Sequence, residues 1–274
     1  MKFTCDGQVA LLSKQGGAAL LMIMLVLVLF FSFIFLTGLD KASSSLSKHK
    51  RTDRALSVAK QSLINFALLS DRLPGSAGIG YLPCPDLDGD GVSDAPCGLA
   101  GDSVEGWLPW QTLGEKSLKG GAKVCLRYAV SGNYKINPSS PLIKSPATVG
   151  QFVIHDQNNN IAVGANASEY ALAVVFAPGT TVAGQSRALG GGVATSCGSS
   201  NINAAKNRAV NYLDLLNNVN NARGTYAGPG VAGSAPLPTN TPSVFIQSES
   251  QDGFNDRLIW ISPRDFVAVY ARMP

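Results

Sequence analysis

The sequence is poor in charge and in histidine. Charged residues make up 15% of its 274 residues, and there are two histidines. Residues 75–274 carry thirteen Lys or Arg against fourteen Asp or Glu, so this part has no basic excess with which to displace counterions from phosphates. Nucleic acid is therefore not among the predicted partners.

Recognisable catalytic motifs are also missing. No GxSxG motif accompanies His155, and Gly190–Gly192 lacks both the lysine of a P-loop and the spacing of a dinucleotide-binding loop. We interpret His155 as a residue at a strand end and the three glycines as a flexible loop. The tryptophans are interpreted as core residues rather than as a sugar-binding platform: Trp107, Trp110 and Trp260. The sequence predicts a protein that is not an enzyme.

One long hydrophobic run is present near the N-terminus. Residues 18–36 contain Ser32 as their only polar side chain and no charge. At 1.5 Å per residue the run spans roughly 28 Å, about one hydrocarbon core. The following residues, Thr37-Gly38-Leu39-Asp40, make a poor signal-peptidase site. The sequence therefore predicts a retained transmembrane segment at 18–36.

The residues before this run carry a family resemblance. Lys14-Gln15-Gly16-Gly17 places a cation and two glycines directly against the apolar segment. This resembles the prepilin signal of type IV pilins and of type II secretion pseudopilins. The resemblance implies that a prepilin peptidase removes a leader of residues 1–17 by cutting after Gly17 and methylates the new N-terminus, Ala18. Cutting after Gly16 is the second choice, and a plain signal anchor is the alternative.

One position departs from the family pattern. Most pilins have Glu as the fifth mature residue, whereas this chain has Met22, or Leu21 for the alternative cut. The tip-type minor pseudopilin of type II secretion and some minor pilins also lack that Glu. The resemblance therefore implies a minor subunit that initiates or caps a filament. Its implied partners are other pilins or pseudopilins, the prepilin peptidase and the inner membrane.

Charge alone favours the opposite orientation in the membrane. Two lysines precede the apolar run, whereas five cations follow it between Lys41 and Arg54, and the positive-inside rule would place the richer flank in the cytoplasm. We nevertheless expect a cytoplasmic N-terminus and a periplasmic head, because the prepilin-like signal and the cysteines after residue 80 both place the C-terminal part outside.

The rest of the pattern predicts an α+β fold. Apolar residues from Leu56 to Leu69 recur every three or four positions, so we expect a helix over 18–72 that ends at Leu73-Pro74-Gly75. It would be transmembrane in its first half and would pack on a mainly antiparallel, pilin-like head over 73–274. The predicted strands are Lys123–Val130, Gln151–His155, Tyr170–Ala177, Ser243–Gln247 and Arg257–Ile261.

Two further helices and a loop are expected in the head. A helix is predicted over Ala204–Asn221. Ser262-Pro263 has the features of a helix start, with a side-chain cap and proline at the first position, and predicts a short helix through Arg272. Residues 222–242 are rich in Gly, Pro, Ser and Thr and predict an exposed loop.

Four cysteines remain after Cys5, which precedes the cleavage point: Cys84, Cys97, Cys125 and Cys197. Three pairings are possible, and an oxidising periplasm would favour two disulfides. Proximity in sequence favours Cys84–Cys97 with Cys125–Cys197. Reduced thiols are the alternative. A zinc site is disfavoured because no CxxC pair exists.

The residues between the first two cysteines match the opening of a calcium loop. Oxygen-bearing side chains stand at positions 1, 3, 5 and 9, glycine at 6 and a backbone carbonyl at 7. Position 12, which should be a bidentate Glu, is Cys97, so affinity should be low unless Asp102 or Glu105 folds back. The alternative is a metal-free turn. The predicted calcium ligands are Asp86, Asp88, Asp90, Asp94 and the carbonyl of Val92.

These features predict a minor pilin or pseudopilin-like structural subunit of a type IV pilus or a type II secretion filament. The alternative, from a different class, is a signal-anchored periplasmic binding or adhesive domain that does not polymerise.

Overall fold

The computed structural model describes residues 16–73, 78–137, 147–222 and 242–273. Within the first helix, side chains are described for residues 20–33 and 45–69. The chain forms two compact units, Met1–Ser47 and Lys48–Pro274. We refer to the second unit as the head.

The first helix, α1, covers Gly16–Leu69. The part that belongs to the head has one buried face, and its buried residues recur at the three- and four-residue spacing of a helix: Ala55, Leu56, Ala59, Leu63 and Ala67. A 3-10 turn follows over Ser70–Arg72. Leu73 then adopts an extended conformation, as expected for a residue that precedes proline.

Nine strands and a second short helix follow α1 in the described residues. The strands are β1 (Val104–Trp107), β2 (Arg127–Val130), β3 (Phe152–His155), β4 (Ile161–Val163), β5 (Ala173–Ala177), β6 (Leu215–Leu216), β7 (Val219–Asn220), β8 (Ser243–Ile246) and β9 (Arg257–Ile261). A 3-10 turn over Pro263–Phe266 leads into α2 (Val267–Tyr270).

The strands form three separate sheets. The largest is antiparallel throughout, in the order β1-β2-β5-β9. A second sheet has the order β4-β3-β8, and its β3–β8 pair is parallel. The strands β6 and β7 form a small hairpin by themselves.

The large sheet lies between two apolar layers. Alternate residues of a strand point to opposite faces. On one face Tyr128 and Val175 pack in a cluster with the buried side of α1. On the other face Val174 and Phe176 pack in a second cluster with Phe245 of the β4-β3-β8 sheet. The head therefore has the layer order helix, sheet, sheet.

The fold class predicted from the sequence, a pilin-like α+β fold with a transmembrane first half of the N-terminal helix on a mainly antiparallel sheet, is wrong. Across the described ranges, no helix is both long enough and apolar enough to cross a membrane. The body is β-rich, and it contains a second sheet with a parallel strand pair.

The helix predicted over Ala204–Asn221 is also wrong. Two 3-10 turns, Ala205–Asn207 and Ala209–Asn211, lead into the β6–β7 hairpin instead. Asn and Asp side chains compete with helical hydrogen bonds by binding nearby backbone groups. The Nδ2 group of Asn211 donates to the carbonyl of Ala205. Asn217 and Asn218 have φ values of 49° and 64°, which a two-residue hairpin turn requires.

The five predicted strands are confirmed, because each forms within its expected range. Four others were not predicted: β1, β4, β6 and β7. The helix start at Ser262 is confirmed as a capping box, in which Ser262 and Asp265 each accept from the other's backbone N–H. The helix after it is shorter than expected, because it ends at Tyr270. The predicted loop at 222–242 lies almost wholly outside the described residues.

Candidate functional site

The apolar segment Leu20–Phe33 exposes its side chains. Thirteen of its fourteen residues are large hydrophobics, with exposed fractions from 46% at Leu27 to 71% at Leu21. Met22, the predicted assembly residue, is 69% exposed. Contiguous apolar surface of this kind marks a site where lipid or another protein binds. Gly17 and Ala18 of the predicted cleavage site fall within α1, and their side chains are outside the described part.

Both predicted disulfides are confirmed, with the pairing that sequence proximity favours. Cys84 is bonded to Cys97, and Cys125 is bonded to Cys197. The first bond closes the acidic loop at residues 84–97. The second joins Cys125, which lies two positions before the start of β2, to the turn at 195–198. Two disulfides indicate an oxidising environment, periplasmic or extracellular.

The acidic loop brings three carboxylates together. One oxygen each of Asp86, Asp88 and Asp94 lies within 4.8 Å of the others. Asp90, which the sequence also predicts as a ligand, is exposed and is not part of this group of described residues. Val92, whose carbonyl is the remaining predicted ligand, is 45% exposed. Of the four predicted aspartates, the structure therefore brings Asp86, Asp88 and Asp94 together and leaves Asp90 outside the group.

Asp86 is the centre of the loop. Its backbone exchanges two hydrogen bonds with Trp107 at the end of β1, and its side chain is fully buried. Oδ1 accepts from the backbone N–H groups of Asp88 and Gly89, and Oδ2 accepts from that of Gly91 at 2.7 Å. These bonds curl the chain around the carboxylate, so the turn is an Asx-type structure.

The loop carries uncompensated negative charge. The pKa of Asp86 is raised to about 7, chiefly by burial and in smaller part by the charges of Asp88 and Asp90, against the backbone hydrogen bonds that lower it. Burial also raises the pKa of Asp94, whose Oδ2 accepts from the N–H of Leu87 at 2.6 Å. Among the described residues no cation forms an ion pair with these carboxylates.

The loop is held on two sides by other parts of the head. The carbonyl of Gly91 accepts from the N–H groups of Gln111 and Thr112, and that of Gly89 accepts from Cys197 at 2.8 Å. A Cβ at Gly89, where φ is +78°, would lie 2.2 Å from the nitrogen of Gly198. Only glycine can be accommodated at this close contact between the two backbones. The surrounding residues therefore fix the conformation of the loop and the positions of its carboxylates.

Neither acidic residue that could have replaced the missing Glu at position 12 folds back to the loop. Glu105 binds Arg127, with Arg127 Nε at 2.5 Å and Nη2 at 3.1 Å from its two oxygens. Asp102 is buried and its charge acts on Lys135. The group of three therefore has no fourth carboxylate from these two positions.

Sequence reasoning missed a buried polar group beside this loop. Arg127 is completely buried. Its guanidinium lies 4.5 Å from the ring centre of Trp107 and 5.6 Å from that of Tyr212. Burial raises the pKa of Glu105, although Arg127 acts in the opposite direction. Glu105 and Arg127 are 22 positions apart, and only the β1–β2 register brings them together.

The donor set of the acidic loop fits a hard divalent cation. Calcium prefers six to eight oxygen ligands, and carboxylates are the strongest of them. Each carboxylate oxygen has two lone pairs, so the backbone hydrogen bonds to Asp86 leave it able to bind a metal. Three carboxylates are fewer than a complete loop supplies, and the residues therefore fit a weak site.

No known family model, no curated protein and no solved structure matches this chain.

Proposed function

We propose that the chain is a minor pilin or pseudopilin-like structural subunit of a type IV pilus or a type II secretion filament. Its role is mechanical rather than catalytic. The observation that carries the proposal is the exposed apolar segment Leu20–Phe33, which two alanines separate from Lys14-Gln15-Gly16-Gly17. A prepilin peptidase would cut after Gly17 and leave Ala18 as the first residue.

The exposed segment requires a covering. Burying apolar surface contributes roughly 25 cal/mol per Å², so thirteen exposed hydrophobic side chains represent a strong tendency to associate. In a filament the equivalent segments of neighbouring subunits would cover one another. Before assembly, lipid at the bacterial inner membrane would do so, with the N-terminus on the cytoplasmic side. The disulfide-bonded head would then lie in the periplasm.

Met22 favours a terminal or rare position in the filament. In the pilin class, a Glu at the fifth mature position is thought to meet the N-terminal amine of a neighbouring subunit. Such a pair neutralises two charges that are costly in an apolar medium. Met22 offers no carboxylate, whereas the amine of Ala18 could still meet the Glu of another subunit. The chain would therefore join on one side only and would initiate or cap.

The test is assembly with and without a carboxylate at this position. We expect the full-length protein alone to form no filaments, and we expect it at low copy number beside a major subunit. Met22→Glu should move it into the filament body, whereas Met22→Gln, which adds a polar group of the same size without charge, should not. Long homopolymers of the wild-type protein would refute the proposal.

A periplasmic binding or adhesive domain that does not polymerise is the second candidate. It predicts that Met22→Glu changes nothing and that loss of the prepilin peptidase leaves the mass of the protein unchanged. Filament assembly measures the first outcome, and mass spectrometry of protein from cells with and without the peptidase measures the second.

We further propose that the acidic loop binds calcium weakly as a structural ion. Asp86, Asp88 and Asp94 would be its main ligands, and Asp90 and the carbonyl of Val92 would complete the set if the loop tip closes. The ion would supply the positive charge that these crowded carboxylates lack. It would stabilise the acidic loop, which the Cys84–Cys97 disulfide closes. It would also stabilise the contact of this loop with the turn at 195–198.

Thermal unfolding of the full-length protein in detergent tests this proposal. A ligand that binds only the folded state stabilises it, by about 2.7 kcal/mol at one hundred times the Kd. Millimolar calcium should therefore raise the Tm above its value in chelator. Asp88→Asn should abolish the shift, whereas Asp71→Asn, which removes an exposed charge elsewhere, should preserve it. Asp90→Asn should leave the calcium-induced shift in Tm unchanged if the group of three binds the ion alone, and should reduce it if Asp90 is also a ligand. Identical curves in calcium and chelator would refute the site.

A further inference from the structure

A pair of acidic residues, Asp214 and Asp256, is buried far along the chain from the acidic loop. Asp214 is 2% exposed and Asp256 is 1% exposed. Oδ2 of Asp256 accepts from the backbone N–H of Asp214 at 2.7 Å and from Nδ2 of Asn221 at 3.1 Å. The carboxyl group of Asp256 is therefore fixed against the backbone of Asp214.

The other oxygen of Asp256 has no hydrogen-bond partner. Its Oδ1 is buried, and no donor of the described residues reaches it. A buried carboxylate oxygen without a donor is costly. A carboxyl group that keeps its proton lowers this cost, because its charge is gone.

One cation acts on this pair. Arg187 is the described basic residue whose charge reaches both carboxyl groups. Its N–H groups, however, donate to neutral acceptors, namely the carbonyls of Gly179 and Asn211 and Oε1 of Gln185. The other titratable group that faces Arg187 is Tyr212, whose ring lies 4.7 Å from the guanidinium. The charge of Arg187 therefore acts on both carboxyl groups, but its N–H groups donate to neutral acceptors.

The pair connects three parts of the head. The backbone carbonyl of Asp214 accepts from the N–H of Asn221, so these two residues close the β6–β7 hairpin. Oδ2 of Asp214 accepts from the N–H of Asn255, which precedes β9. Asn221 also exchanges two hydrogen bonds with the backbone of Ile246 at the end of β8. The hairpin is held to the head through this junction.

We propose that the Asp214–Asp256 pair holds a single proton, carried by the carboxyl group of Asp256, and that the pair is a pH-sensitive latch that releases the β6–β7 hairpin when the proton passes to solvent. Two like charges confined in a dry site cannot both form at low cost. Burial, and then the charge of Asp214, raise the pKa of Asp256 well above its ordinary value, and burial raises that of Asp214.

The sign of the pH dependence follows from linkage. The closed state holds a proton that the open state releases near pH 4. Stability of the closed hairpin is therefore complete below about pH 4 and is lost as pH rises through the raised pKa of the pair. Between these limits the opening constant should rise by up to about tenfold per pH unit.

Hydrogen exchange of the full-length protein in detergent between pH 4.5 and 8 tests the latch. Protection factors, corrected for intrinsic exchange, should fall with pH in residues 214–222 and stay constant in β5. Asp256→Asn carries a permanent donor, so its profile should be flat. Asp252→Asn, an exposed residue of the same segment, should keep the wild-type slope. A flat wild-type profile, or the wild-type slope in Asp256→Asn, would overturn the proposal.

A measurement on the wild-type protein remains decisive if Asp256→Asn does not fold. Infrared difference spectra over the same pH range, recorded on the wild-type protein and on Asp86→Asn, which removes the carboxyl group of the acidic loop whose pKa is also raised into this range, should both show the carbonyl band of a buried protonated carboxyl group that disappears as the hairpin opens. Spectra with every carboxyl group ionised from pH 5 upward would overturn the proposal.

Discussion

The apolar segment Leu20–Phe33 and the head treat hydrophobic side chains in opposite ways. In the segment, thirteen large hydrophobic residues are between 46% and 71% exposed. In the head, large side chains such as Phe176, Phe245 and Leu63 are completely buried. The head buries its large hydrophobic side chains in its own core, whereas those of the segment are exposed. This difference is the basis of the proposal that lipid or another subunit covers the segment.

Polar groups show the same contrast. In the head, even the buried charge of Arg127 is held in place by Glu105 and two aromatic rings. Two disulfides also restrict the loops of the head. The segment has one polar side chain, Ser32, and no charge. Changes in the segment should therefore alter association, and changes in the head should alter stability.

A charge in the segment should give the largest effect. Leu25→Lys places an ammonium group on the apolar surface, and burying an unpaired charge costs several kcal/mol. We expect at least a tenfold loss of membrane-pelleted and filament-associated protein, with the Tm of the head unchanged. Leu25→Met is the matched control and should behave as wild type. A lower Tm with normal association would reverse the comparison.

Breaking the buried ion pair should destabilise the head by about 3–5 kcal/mol. Arg127→Met leaves Glu105 buried without its partner, and denaturant unfolding measures the loss. Adding Glu105→Gln should recover part of it. The surface pair Arg257–Asp53, which is 42% and 54% exposed, is the control, and Arg257→Ala should cost less than about 1 kcal/mol. Equal losses at both sites would show that burial is not the deciding factor.

Removing the disulfides should cost slightly less, in the order of the loops that they close. The sequence separations are 72 for Cys125–Cys197 and 13 for Cys84–Cys97, so chain entropy predicts losses of about 4 and about 3 kcal/mol. Paired Cys→Ala variants, compared by denaturant unfolding, test this order. Only removal of Cys84–Cys97 should also weaken the calcium response. Four free thiols in protein isolated from its own compartment would contradict the oxidised state.

The smallest expected effect concerns Ser262, the N-cap of the last helical segment. Ser262→Ala removes the side chain that accepts from the N–H of Asp265 and should cost about 1 kcal/mol. Ser262→Asp retains an acceptor and should cost less. Asp265 also binds Lys60 of α1 at 2.7 Å, so the loss should appear as a lower Tm of the whole head. No change in Tm would show that the cap is dispensable.

Local signals in the sequence were enough for some elements and not for others. The capping box at Ser262 and the strands Ser243–Ile246 and Arg257–Ile261 were predictable, because their patterns are local. Residues 204–221 have helical spacing of apolar residues, but their Asn side chains bind the backbone and their hairpin needs positive φ at Asn217 and Asn218. The spacing of apolar residues carries no information on this competition between side-chain and helical hydrogen bonds.

The candidate sites show the same limit. Asp86, Asp88 and Asp94 belong to one short motif and were predictable from spacing. The pairs Glu105–Arg127 and Asp214–Asp256 join residues that are far apart in sequence and meet only through strand pairing and hairpin closure. Strand β1 was missed for a related reason, since its Glu105 is buried only because Arg127 neutralises it.

Mass spectrometry of the mature N-terminus tests the central proposal most directly. The protein should be extracted from membranes of cells with and without the prepilin peptidase. With the peptidase, we predict that the chain begins at N-methylated Ala18. Without it, residues 1–17 should be retained. An intact Met1 in cells that contain the peptidase, or a first residue after position 36, would contradict the account.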